Sequence, residues 1–256
     1  IYEMNDKLNN GGFSLLLFSS LTNLEYIQNL LTKNYFKHEI LEEENYFFEK
    51  IYCLKIEKTE VLKSLSKKLT NMKYLASGKH STNLEGTYNN KLSVIKIGIE
   101  QHISKEIAFL KKLENEPFTP KIYFHENEFV CREKFEGTLI TDFFKESNKE
   151  DIEKVLNEIL RITQRLDKLK INKFEMTNPY KHIYVLNNFE VKMIDYERCI
   201  FSQNPKNTTQ IFQFFKRWNQ TLKEKGINID ENKVREISKK YKERNFKILL
   251  DDIISS

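Results

Sequence analysis

Asp195 closes the stretch IYVLNNFEVKMID, residues 183–195. A carboxylate at the end of an apolar ribbon cannot be buried bare; it must accept hydrogen bonds or hold a cation. The stretch reads as two short strands, Ile183–Leu186 and Val191–Ile194, joined by a turn at Asn187–Asn188, because Asn tolerates the left-handed backbone of tight turns. An antiparallel hairpin sets the residue entering its first strand beside the residue leaving its second, so His182 and Asp195 are expected as neighbours. Upstream, Lys96 follows Val94 and Ile95, and an inward ammonium among such residues needs an anion. Glu106 lies three residues after Ile103, on the apolar stripe Ile103, Ile107, Leu110 and Leu113 of a helix expected over Ile99–Leu113. A buried Glu and an inward Lys make a natural ion pair. The sequence GKHS at 78–81 invites a phosphate-loop reading, but Lys73 stands where that motif needs a glycine. Gly78 fits instead a flexible loop whose backbone approaches a phosphate closely.

The elements that must carry these residues follow from periodicity. Residues 1–65 suggest a small α+β unit: a strand at Phe13–Phe18, a helix at Thr22–Thr32, strands at Tyr35–Leu41 and Tyr46–Ile56 separated by the polar Glu42–Asn45, and a helix at Glu60–Leu69. Tyr74–Ala76, Thr82–Tyr88 and Leu92–Ile97 read as successive antiparallel strands, the last two joined at Asn89–Asn90. Strands at Lys121–His125 and Phe129–Glu133 follow the Glu106 helix. From Gly137 onward the chain is mainly helical. Asn148 caps Asp151–Leu169, Asn207 and Gln210 resemble a capping box for Ile211–Leu222, Gly226 stops that helix, and a last helical pattern runs from Asp230 to Ile254.

Hydrophobic residues make up 39% and charged residues 31%, the pattern of a globular chain with a heavily charged surface. Three widely spaced cysteines, Cys53, Cys131 and Cys199, offer neither a disulfide framework nor zinc spacing, and point to reduced thiols in a cytoplasm. The apolar run Phe13–Phe18 is too short to span a bilayer and no basic segment precedes it, so neither a membrane span nor a leader is expected. Residues 204–256 carry 12 Lys+Arg against 7 Asp+Glu, which accounts for the whole net charge of +5. Those basic C-terminal helices allow contact with RNA or a ribonucleoprotein, or present a solvated face.

The order of these elements, with SVIK at 93–96, KEIAFLKKL at 105–113, EKFEG at 133–137 and MIDYE at 193–197, resembles the protein-kinase-like superfamily over roughly residues 73–220. The chain is most similar to compact archaeal Ser/Thr kinases related to the RIO type. The resemblance implies an α+β, two-lobed fold: an N-terminal α+β extension over 1–65, an antiparallel-sheet N-lobe over 66–135 and a helical C-lobe over 136–256. It implies that ATP is the cofactor, with Lys96 on its α/β-phosphates, Glu106 orienting Lys96, Gly78 over the phosphates and the backbone near Glu133 and Phe135 meeting adenine. Asp195 would hold Mg²⁺, with Mn²⁺ as the variant.

The loop before the hairpin departs from the family. Glu175 is the nearby acid for the catalytic base, seven residues before His182, which lengthens the loop by two. His182 stands where the family has a metal-binding Asn. Imidazole is a poor Mg²⁺ ligand, so His182 would ligate a metal, contact a phosphate or hold Glu175. Lys181 would steady the transferred phosphoryl group. The implied activity is γ-phosphoryl transfer to a hydroxyl, on a protein substrate. The alternatives are an ATP-binding pseudokinase or scaffold with a degenerate loop, and a non-kinase α+β protein that binds RNA.

Overall fold

The computed structural model describes residues 3–78, 80–244 and 246–255. The chain folds as two compact units, Ile1–Ser104 with Lys121–Lys134, and Lys105–Pro120 with Phe135–Ser256. Both mix helix and strand, so the expected α+β class is observed.

The first unit begins with α1 (Met4–Lys7), β1 (Phe13–Ser19), α2 (Leu24–Lys33), β2 (Phe36–Tyr46), β3 (Glu49–Lys58) and α3 (Glu60–Leu65). Its first sheet has the order β1-β3-β2. The polar Glu42–Asn45 run does not interrupt β2. That strand lies on an edge with its acids exposed to water, and a bulge between Ile40 and Glu42 absorbs the change of register. The unit continues with β4 (Thr70–Ser77), β5 (Ser81–Tyr88) and β6 (Lys91–Gly98), then, after α4 (Glu100–Lys112), with β7 (Ile122–Glu126) and β8 (Phe129–Glu133). These strands make one antiparallel sheet, β4-β5-β6-β8-β7, which puts β6 at its centre. Asn89 and Asn90 both take positive φ, 46° and 62°, as a two-residue hairpin loop requires. Leu31, Leu54 and Ile56 share one apolar cluster with Leu84, Ile95 and Phe129, so residues 1–65 pack on the core of the five-stranded sheet.

The second unit adds β9 (Thr138–Leu139), α5 (Ile140–Glu146), α6 (Lys149–Lys168), β10 (Ile171–Asn172), β11 (Ile183–Val185), β12 (Val191–Met193), β13 (Ile200–Phe201), α7 (Asn207–Arg217), α8 (Asn219–Glu224) and α9 (Glu231–Arg244). Helix α6 is capped by Asn148, whose side chain accepts the Asp151 N–H at 3.0 Å. It buries Ile152, Val155, Leu156, Ile159, Leu160 and Leu166 completely, each contributing roughly 1.5–3 kcal/mol by transfer from water. Phe212, Phe214 and Phe215 join this core, with the Phe144 and Phe214 rings 6.0 Å apart. Two small sheets, β12-β11-β9 and β10-β13, complete the unit. Gly137 lets β9 reach β11, since a Cβ there would lie 2.9 Å from the Val185 carbonyl oxygen.

Other local expectations change as well. The hairpin loop is Asn187–Phe189: Phe189 N–H closes a turn on the Leu186 carbonyl at 2.9 Å, and Phe189, not an Asn, carries the left-handed backbone at φ 63°. This is the three-residue loop whose last member sits in αL. The helix expected over 211–222 breaks at Trp218, because the Asn219 side chain turns to bond both backbone groups of Ile229, at 2.8 and 3.2 Å. The last helix ends at Arg244, and a short 3₁₀ turn, Leu250–Asp252, follows.

Candidate functional site

In the first unit, Lys96 lies on the central strand β6, opposite Asn83 and Val130, and is 6% exposed. An ammonium so placed is tolerated only with a partner. Gly78 sits in the loop between β4 and β5, its N–H donating to the Ser81 carbonyl at 2.8 Å. Glu133 ends β8: its N–H donates to the Lys121 carbonyl at 2.8 Å and its carboxylate accepts the Lys121 N–H at 3.3 Å.

Lys134, where the chain leaves this sheet, is pinned by an ion pair to Glu85 of β5, which also takes Lys73 at 3.0 Å. These hydrogen bonds, Lys134 first and Lys73 second, hold the Glu85 carboxyl below the usual carboxylate range. A depressed folded-state pKa contributes stability that is fully present above the unfolded carboxyl's pKa and lost as pH falls through the folded one. The unfolding midpoint of the wild type is therefore expected to exceed that of Glu85→Gln at pH 7. The gap should close as pH drops below about 4; a gap constant from pH 7 to pH 3 would refute the assignment.

The second unit holds the denser cluster. His182 enters β11 and Asp195 follows β12. The Ile194 N–H donates to the His182 carbonyl at 3.0 Å, which registers the open end of the hairpin. His182 Nε2 lies 3.6 Å from Asp195 Oδ2, and its Nδ1 lies 3.5 Å from Glu175 Oε2. The imidazole is thus interposed between two carboxylates, with both spacings longer than a good hydrogen bond. Glu175 also makes a close ion pair with Arg198. Glu175 and Asp195 both take left-handed backbone, φ 74° and 66°, uncommon for residues with a Cβ.

Two donor sets meet at Asp195. Ligand atoms of Glu175, His182 and Asp195 lie within 4.8 Å of one another, as do those of Glu106, Asp195 and Glu197. Glu106, on α4, is 1% exposed. The Glu106 set is all oxygen, as Mg²⁺ prefers; the set with an imidazole suits Mn²⁺ better. The remaining sequence candidates in this unit are Lys181 and Phe135. Lys181 is exposed, its ammonium 5.3 Å from the centre of the Tyr180 ring, and Phe135 packs edge-on against Tyr184 at 5.4 Å.

Sequence reasoning passed over Arg198 and Lys173. Lys173 is 2% exposed, and its ammonium donates to the Asp195 carbonyl at 2.5 Å and lies 5.0 Å from the Tyr196 ring centre. Burial pushes this ammonium below the usual lysine range. The available signal was its place between the apolar Ile171 and Phe174; Arg198 had none.

A central-strand lysine in a five-stranded antiparallel sheet, and a mainly helical unit with an acid-tipped hairpin, define the class: this is the two-lobed protein-kinase-like fold. No family model matches the chain, and no curated protein matches it. Among solved structures it is similar to the Rio2 kinase–ADP/Mg²⁺–phosphoaspartate complex from Chaetomium thermophilum, with a TM-score of 0.50, 13% identity, and coverage of 75% of this chain and 69% of that one. At that identity the likeness is one of fold. No described helix is long and apolar enough to cross a membrane.

Proposed function

We propose that this chain is an ATP-dependent phosphotransferase that passes the γ-phosphoryl group to a Ser/Thr hydroxyl of a protein, as a compact kinase of atypical type. The observation that carries this reading is the convergence of two cation-competent donor sets on Asp195, in a chain with the kinase-like fold. The similar Rio2 kinase structure contains ADP and Mg²⁺, which supports the same cofactor pair here. The donor chemistry fits: Asp195 with Glu106 and Glu197 would hold Mg²⁺, and Asp195 with His182 and Glu175 would hold Mn²⁺. When bound, the cation neutralises charge on the phosphates. Lys96 would hold the α/β-phosphates of bound ATP, Gly78 would belong to the phosphate loop, and the backbone near Glu133 and Phe135 would take adenine. Glu175 takes the hydroxyl proton, oriented by His182, and Lys181 adds positive charge for the transferred group.

A second reading has its own observation. Arg198 is ion-paired with Glu175, which occupies the carboxylate that would have to take the hydroxyl proton. An ATP-binding pseudokinase would look like this. Label from γ-labelled ATP, with Mg²⁺ or Mn²⁺ and a mixed protein substrate, separates the two. Glu175→Gln, which keeps the side chain's length and removes the base, is expected to lower transfer by about 10²–10⁴, the usual contribution of a general base, with ATP affinity retained. Wild-type ATP binding without transfer under either metal would establish the pseudokinase.

A further inference from the structure

Asp195 is one of two site residues held in left-handed backbone, and one side chain meets that residue's main chain from the protein interior. Lys173 belongs to the loop between β10 and β11 and is sealed from water. Its ammonium donates 2.5 Å to the Asp195 carbonyl, while the Tyr196 ring lies 5.0 Å away under the same charge. A buried ammonium keeps its charge only where oxygen and π density replace water, and here both come from residues 195 and 196. The lysine is itself held at its backbone. Its N–H donates to the Asn207 side chain at 2.8 Å, and Asn207 is bound in turn to Asp167 through its N–H at 3.0 Å and its Nδ2 at 2.7 Å. A chain of bonded, buried groups therefore runs from α6 through the start of α7 to the Asp195 carbonyl.

The geometry matters because φ of Asp195 is 66°. An unrestrained Asp can relax to extended backbone, which would swing its carboxylate away from Glu106, Glu197, His182 and Glu175. On the outside, the Ile194 N–H is tied to the His182 carbonyl; on the inside, the peptide after Asp195 is gripped by Lys173. We infer that Lys173 is a positioning residue: it clamps the Asp195–Tyr196 peptide and so fixes the direction in which Asp195 presents its carboxylate to a divalent cation. This rests on the proposed role of Asp195 as a cation ligand.

The test measures Mn²⁺ binding by electron paramagnetic resonance, with and without ADP, alongside ADP affinity in the absence of metal. Lys173→Met keeps the length and apolar stem but removes the donor. It is expected to weaken Mn²⁺ binding at least tenfold while metal-free ADP affinity stays within twofold, with Lys173→Arg recovering part of the loss. A merely structural lysine would lower the thermal midpoint and leave the Mn²⁺ affinity of the folded fraction at the wild-type value, which overturns the inference. Should Lys173→Met fail to fold, Lys173→Leu, which also lacks a donor, carries the same comparison. Asp195→Asn separates the two ideas. Wild-type Mn²⁺ affinity in that variant refutes the cation role of Asp195, whereas Mn²⁺ affinity lost in Asp195→Asn but kept in Lys173→Met refutes the clamp alone.

Discussion

Asp195→Asn is expected to reduce phosphoryl transfer by at least about 10³-fold, equivalent to roughly 4 kcal/mol of transition-state stabilisation. It should also abolish the metal-dependent part of ATP affinity, with the fold unchanged. Asn is the informative replacement because it accepts the left-handed backbone observed at φ 66°, which Ala would resist. It keeps one oxygen but removes the charge shared by both donor sets, so each loses its common anionic ligand. Neutralising a carboxylate that sits among Glu106, Glu175 and Glu197 also relieves like-charge repulsion when no metal is bound. The metal-free thermal midpoint should therefore hold or rise. Titrating ATP affinity against Mg²⁺ and Mn²⁺ for both proteins gives the answer. A variant that keeps the wild-type metal dependence would remove the basis of the proposed chemistry.

The largest stability effect is expected at Asp167, near the end of α6. This buried carboxylate accepts from the Asn207 N–H and Nδ2, the Thr208 N–H and Oγ1, and the Tyr241 hydroxyl, at 2.6–3.1 Å. Asp167 thus caps α7 from another helix, supplying anionic charge where the helix dipole is positive. Burial pushes the Tyr241 hydroxyl up to about 12, so it remains a donor throughout the physiological range. Removing the acceptor strands these donors away from water. Asp167→Ala should cost roughly 3–5 kcal/mol, the range for breaking a buried charged network. Urea denaturation followed by far-ultraviolet circular dichroism checks this; a loss below about 1 kcal/mol would show that the donors find other partners. Because Asn207 also holds the Lys173 backbone, the same change should loosen Asp195, visible as weaker Mn²⁺ binding in the folded fraction.

Much of the frame was readable because its signals are local. The short apolar run of β6, the paired Asn89 and Asn90, the stripe of α6 with its Asn148 cap, and the Gly226 stop at φ 81° each depend on neighbours within a few residues. The juxtaposition of His182 and Asp195 was likewise legible, since hairpin pairing is a matter of register. Expectations failed where a distant group outbid a local one. Asn207 is not a cap for its own helix; it is the first helical residue, and its side chain serves Asp167 and Lys173 instead. Trp218 ends α7 because Asn219 is drawn to Ile229. The acids of β2 stay in strand because edge position exposes them.

From the residues in order one could derive the α+β class, the succession of elements and the chemical types at the candidate site, because backbone propensity and hydrophobic period act over short stretches. The network behind the site needed the folded chain. Lys173, Arg198 and Asp167 look like ordinary surface charges in one dimension. The burial of Lys173 and Asp167, and the partners of all three, arise from contacts between segments more than twenty residues apart, and no periodicity encodes which oxygen a buried ammonium will find.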